Sequence, residues 1–200
     1  MLKIIGKATS INVRKVLWTC AELGLPFARE EWNDAVHAAL NPNRMVPVLV
    51  DGDLVLWESN TISRYLCTRY DGEALLPREA GARARVEQWM DWQATELNTA
   101  WRYAFMALVR HSPAHTDPAQ IDAGIRGWNR HMGILDAQLR KTGAYVAGAD
   151  FTLADIVLGL SANRWLMTPM DRPDYPHVAA WLARLDAREA CRLYGRNGTP

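Results

Sequence analysis

The chain has 200 residues, 49% hydrophobic and 22% charged, which is the balance of a globular protein holding one large domain or two small ones. A formal net charge of +1 argues against a nucleic-acid or membrane-surface binder, and no apolar run is long enough to span a bilayer. Leu2 to Gly6 predicts a short strand. Val13, Val16, Leu17, Cys20 and Leu23 recur at helical spacing, with Gly24 as the stop and Pro26 just beyond. Phe27 to Trp32 reads as a second, more polar strand at a sheet edge, and Asp34 to Leu40 as a weak helical turn ended by Asn41-Pro42. Val48–Val50 and Leu54–Trp57 are β-prone runs around Asp51-Gly52-Asp53, a hairpin turn in which Gly supplies a positive φ. Pro47, lacking an N–H, belongs at the strand's start or on an edge, and can be cis. Ser59 reads as the cap of a helix running to about Tyr70.

The order β-α-β-α-β-β-α, with a parallel first pair and an antiparallel hairpin, is the thioredoxin-like arrangement, assigned here to residues 1–77. Asp71 to Pro77 reads as a linker. Residues 82–200 then predict an all-helical domain. Its helices are a Trp-rich one from Ala82 to about Arg110, one from Pro118 to about Leu139, one from Thr152 to about Leu166, and one opening at Pro176. Phe151-Thr152-Leu153-Ala154-Asp155-Ile156 carries a capping signal, Thr152 as cap and Asp155 reaching back, with Phe151 stapled on Ile156. The tail after Tyr194 reads as loose.

The segments "SINVRKVLWTCAELGLPF", "NPNRMVPVLVDG", "LWESNTISRYL" and "FTLADI", in this order and spacing, resemble the cytosolic glutathione transferases of the bacterial theta/beta-like, serine type. The resemblance spans nearly the whole chain. It implies a thioredoxin-like domain plus an all-α domain. It also implies glutathione as co-substrate without a metal, a small apolar electrophile as second substrate, and a homodimer in the cytoplasm. Such an enzyme must make a thiolate from a thiol whose ordinary pKa is about 8.5. Ser10 lies between the first strand and first helix and matches the family's Ser-x-x-x-basic pattern, which assigns it the role of hydrogen-bond donor to sulfur. Read without the resemblance, Ser10 or Asn12 serves equally well as a helix cap, and Thr9 and Asn12 remain alternative donors. The resemblance further implies that Val46, before a cis Pro47, pairs its backbone with the cysteinyl unit. Ser59 and Glu58 would hold the γ-glutamyl carboxylate and ammonium, and Arg44 the glycyl carboxylate. Asp91 would reach the γ-glutamyl ammonium in a partner subunit. Trp101, Tyr103, Phe105 and Trp165 would wall the electrophile pocket.

The residues also argue against several chemistries. No Cys-x-x-Cys is present, and Ser10 stands where related classes carry cysteine, so dithiol and mixed-disulfide chemistry are not expected. Cys20, Cys67 and Cys191 are far apart in the chain, fitting a reduced cytoplasmic setting, with Cys20 as packing. His111 and His115 have helical spacing, but Pro113 between them disfavours a helical zinc pair. Met1 to Gly6 is too short an apolar run for a signal sequence. Two other functions share the pattern: a non-catalytic glutathione-transferase-like interaction module, and a glutathione-dependent isomerase or dehalogenase.

Overall fold

The computed structural model describes residues 1–200. The first unit is β1 (Leu2–Ile5), α1 (Ile11–Glu22), β2 (Phe27–Glu30), α2 (Asp34–His37), β3 (Val48–Asp51), β4 (Leu54–Trp57) and α3 (Ser59–Arg69). The sheet order is β2-β1-β3-β4. β1 pairs with β2 in parallel, as a right-handed crossover requires, and with β3 antiparallel, while β3 and β4 form the hairpin. The hairpin turn is two residues, Gly52 at φ 60° and Asp53, because Asp51 already pairs with Leu54. Strand β2 lies at the edge, in keeping with its polar sequence, but is two residues shorter than expected.

A small core of Leu2, Ile4, Val13, Val16, Leu17, Cys20, Leu49, Ile62 and Leu66 joins the sheet to α1 and α3. Helix α1 is buried along nearly its whole length, from Val13 to Cys20, because its other face meets the second unit. That second unit is α4 (Ala80–Trp92), α5 (Asn98–Leu108), α6 (Pro118–Thr142), α7 (Leu153–Met167) and α8 (Pro176–Asp186). Its larger core takes in Ile11, Trp18, Leu75 and Leu76, so the segment read as a linker packs into it, and the Leu153 amide donates to the Leu75 carbonyl at 3.0 Å.

The Trp-rich helix is not uniform. It widens into a π-helical turn at Gln93–Leu97, which separates α4 from α5. Such a turn is often found where a side chain serves a local purpose. Here Gln93 is buried and bridges both units, accepting from Lys15 Nζ at 2.7 Å and donating to Ser161 Oγ at 3.0 Å. Helix α7 is buried on every face except at its last two residues, and it takes Asp155, Ser161, Asn163 and Arg164 inside with its apolar side chains. At its start Asp155 reaches back as expected, accepting from Thr152 N at 2.9 Å. The Thr152 hydroxyl also donates to Asp155 rather than standing alone as the cap. Phe151 lies among Trp18, Tyr145 and the Arg188 guanidinium.

The C-terminal tail departs from expectation. After a π-turn at Cys191–Gly195 it is held by Arg14, whose guanidinium donates to the carbonyls of Tyr194, Gly195 and Thr199 at 2.7, 2.5 and 2.8 Å. Asn163 adds a bond to the Thr199 carbonyl at 2.8 Å. The buried guanidinium needs acceptors, and the free carbonyls of an irregular tail supply them.

Candidate active site

A cleft of about 320 Å³ opens where the first turns of α1 and α3 meet the loop before β3. Asn12, Asn41, Asn43, Met45, Val46, Pro47, Glu58 and Ser59 line it. Each of the three segments leaves backbone groups free. The Val46–Pro47 bond is cis, and Val46, just before β3 begins, makes no backbone hydrogen bond. Asn41 is 3% exposed and braces the loop, accepting from the Asn43 amide and donating to the Met45 carbonyl at 2.9 and 2.8 Å.

Ser59 is not the cap of α3 but its first helical residue. Glu58 takes the cap position at φ 71° and ψ 111°, a backbone region that disfavours side chains, and its carboxylate makes no capping bond. Strain of this kind, of order 1–3 kcal/mol, gathers where a group must be aimed. Glu58 is thereby left exposed at the cleft rim, and the first amides of α3 keep no side-chain acceptor. The Ser59 hydroxyl reaches toward Asn12 Oδ1 at 3.5 Å. Free helix amides with a hydroxyl beside them form an anion seat.

Ser10 precedes α1 with extended backbone, its hydroxyl is half-buried, and it caps nothing. Asn12 lines the cleft directly, whereas Thr9 is exposed. Two residues further on the chain turns cationic and buried. Arg14 is 1% exposed and Lys15 2%. Burial, with Arg164 nearby, pushes the Lys15 ammonium down to about 7 from 10.5. Only the charge of Glu58 opposes that shift.

Lys15 therefore couples stability to pH. Between pH 7 and 9 the unfolded chain keeps the lysine proton and the folded chain sheds it, so stability rises with pH. The gain over that window is about 2 kcal/mol. Burial raises the thiols of Cys20, Cys67 and Cys191 to about 12, so from about pH 8 upward they ionise in the unfolded chain before the folded one and offset much of that gain. In urea unfolding at pH 7 and 9, the stability of the wild type relative to Lys15→Met should rise by about 2 kcal/mol, since the thiols titrate alike in both proteins. Parallel pH profiles for the two proteins would show that Lys15 is not its source.

The expected site residues divide into groups. Asn12, Val46, Pro47, Glu58 and Ser59 share the cleft, with Ser10 and Thr9 beside it in the chain. Arg44 is exposed at φ 51° and does not line the cleft. Asp91 pairs with Arg64 on the surface of α3 and α4. Trp101 and Phe105 meet edge to face at 5.3 Å and lie under the Arg164 guanidinium. Tyr103 turns instead to a groove between α5 and α6, against His115. Trp165 stacks with Tyr175 in a hollow between α7 and α8. The sequence reasoning overlooked Asn41, Asn43, Lys15, Gln93 and Arg164. Arg14-Lys15 inside an apolar helix was the available signal, because two adjacent cations cannot both escape a helix buried on two faces.

No group of three or more His, Cys, Asp or Glu is placed to hold a metal ion. His115 instead meets Ser112 Oγ at 2.8 Å. The three cysteines are free and buried, and no helix is long and apolar enough to cross a membrane.

Comparison with known proteins agrees with this geometry. The family model for the glutathione S-transferase N-terminal domain matches residues 4–74, and that for the C-terminal domain matches residues 118–184. The chain is 36% identical over 201 residues to glutathione S-transferase GstB of Escherichia coli K12, covering 96% of each chain. It is 33% identical over 209 residues to glutathione S-transferase 3 of Zea mays, covering 94% of this chain and 90% of the other. Among solved structures, a theta-class glutathione S-transferase from Xanthomonas axonopodis pv. citri, determined with glutathione bound, superposes with a TM-score of 0.90 at 37% identity, covering 100% and 99% of the two chains. The chain belongs to the glutathione S-transferase family.

Proposed function

We propose that the protein binds glutathione in the Asn12–Ser59 cleft and that the Ser10 hydroxyl donates a hydrogen bond to its sulfur, holding it as a thiolate. The observation that carries this reading is the half-buried Ser10 hydroxyl, which no backbone amide of α1 engages although it stands at the helix mouth. The α1 dipole favours a negative sulfur at that point. Asn12 and Thr9 are the alternative donors. The γ-glutamyl carboxylate sits on Ser59 and the open α3 amides, and its ammonium faces Glu58. The cysteinyl unit pairs with the free backbone of Val46. Asn43 lines the cleft, as Arg44 does not, and is the side chain offered to the glycyl end.

The reaction is nucleophilic substitution. The bound thiol gives its proton to solvent and the sulfur bonds to an electrophilic carbon. The leaving group departs from that carbon with the bonding electron pair. Trp101 and Phe105 on α5, inside the helical unit, form the apolar wall for the electrophile. Adding glutathione at neutral pH should produce the ultraviolet thiolate band, and dinitrochlorobenzene should be conjugated. Binding with neither thiolate nor turnover on an electrophile panel would reduce the protein to a glutathione-holding module.

The working form is proposed to be a cytoplasmic homodimer. Leu54, Val55 and Trp57 of the edge strand β4 are all more than a third exposed, an apolar edge that a second copy would cover. Glu58 is the carboxylate that lines the cleft of the same chain, while Asp91, paired with Arg64 on the surface, is the one proposed to reach the ammonium in the partner subunit. A sedimentation mass of one 22.5 kDa chain at micromolar concentration would refute the dimer.

A further inference from the structure

Arg164 on α7 is 4% exposed, yet no carboxylate pairs with its guanidinium, and its buried Nε has no hydrogen-bond partner. Buried cations are ordinarily paired or hydrogen-bonded, because desolvation is otherwise uncompensated. Here only aromatic faces meet the charge, at 4.1 Å from the Phe105 ring centre and 4.7 Å from that of Trp101. The surrounding charges have the same sign. Burial and the nearby Arg110 and Arg14 push Arg164 down to about 9, and its own charge depresses Lys15. Arg110 lies over the same Phe105 ring, 5.4 Å from its centre, on the exposed side. Arg14 has its three carbonyls, and Lys15 has Gln93 and Asn60. Arg164 alone of the three buried cations lacks an acceptor.

We propose that Arg164, with Arg110 outside it, is a binding site for the carboxylate of the electrophilic substrate, whose apolar body lies along Trp101 and Phe105. The assignment rests on the reading that glutathione is activated at Ser10. It narrows the second substrate to electrophiles carrying an anionic group. A planar guanidinium fork suits a bidentate carboxylate, and an incoming anion relieves the repulsion within the cluster. The aromatic contacts already orient the fork, so little is lost to ordering when the anion arrives.

The test compares a chlorodinitrobenzoate, chlorine para to the carboxylate, with the matching benzamide on the full-length protein. Arg164→Met should lower kcat/KM for the benzoate relative to the benzamide roughly thirtyfold, with the KM for glutathione unchanged. Arg164→Lys should recover part of that loss, since the charge returns without the fork. Arg110→Met, an exposed change, should lower the same ratio about threefold. Calorimetry in saturating glutathione should show dinitrobenzoate binding the wild type at least tenfold more tightly than dinitrobenzamide. Equal affinity for the two overturns the proposal whether or not any variant folds. An unchanged benzoate-to-benzamide ratio in Arg164→Met, or a loss confined to glutathione binding, overturns it as well. Absence of benzamide turnover in the wild type is a different result: it strikes the thiolate reading, while the carboxylate preference is still decided by the calorimetry.

Discussion

Asp155→Ala is expected to lower the unfolding free energy by about 4 kcal/mol, enough to unfold much of a marginal chain near body temperature. The carboxylate is fully buried and collects donors from the α6–α7 connection and from α8. Val146 N, Thr152 N and Trp181 Nε1 each donate to it at 2.9 Å, and Thr152 Oγ1 at 3.1 Å. Removing it strands all four at once, ties the start of α7 to nothing, and leaves a small void. Because α7 touches both cores, the loss is felt across the molecule. Burial outweighs the donors and lifts the Asp155 carboxyl to about 6 from 3.8. The sign follows from that direction: the folded chain holds the proton longer, so the stability contributed by Asp155 is fully present below pH 4 and declines as pH rises through 6. The gap between wild type and Asp155→Ala should therefore widen from pH 7 to pH 5. Guanidinium unfolding at the two pH values reads both effects. A variant within about 1 kcal/mol of wild type would mean that α7 is positioned without its cap.

Ser10→Ala is expected to lower kcat at least tenfold, and up to about a thousandfold, with the glutathione affinity little changed. The hydroxyl caps no amide in the free protein, so its removal leaves stability almost untouched. The effect falls on the bound sulfur, whose thiolate loses one directed donor. The apparent pKa of bound thiol, read from its ultraviolet band, should rise toward the value of free glutathione. Full turnover in Ser10→Ala would move the donor role to Asn12, which lies in the cleft, or to Thr9 if Asn12→Ala is also active. A drop in affinity with unchanged kcat would make Ser10 a binding residue only.

Much of the architecture was legible beforehand because it follows from local rules. Gly24, Gly52 and Pro118 punctuate the chain where the elements change, and period-two and helical spacing separate strands from helices. In the sequence the long helix is one piece, because a π-turn leaves no mark in apolar periodicity. In the sequence Ser59 has the look of a cap, because a hydroxyl before a helix is the common case. Only the folded chain reveals that Glu58, in a costly backbone state, occupies that position instead.

By itself the amino-acid order determined the β-α-β-α-β-β-α unit and the helical unit after it, since each element depends on neighbours close in sequence, whereas the meeting of Asn12, Asn41, Val46 and Ser59 in one cleft brings together three distant segments. The tertiary structure alone decided the fate of the charges. Arg14 anchors a tail roughly 180 residues away, Lys15 is clasped by a π-turn, and Arg164 lies beneath two aromatic rings with no acceptor. A side chain's burial and partners are set by which faces of distant elements are pressed together, and no local pattern encodes that.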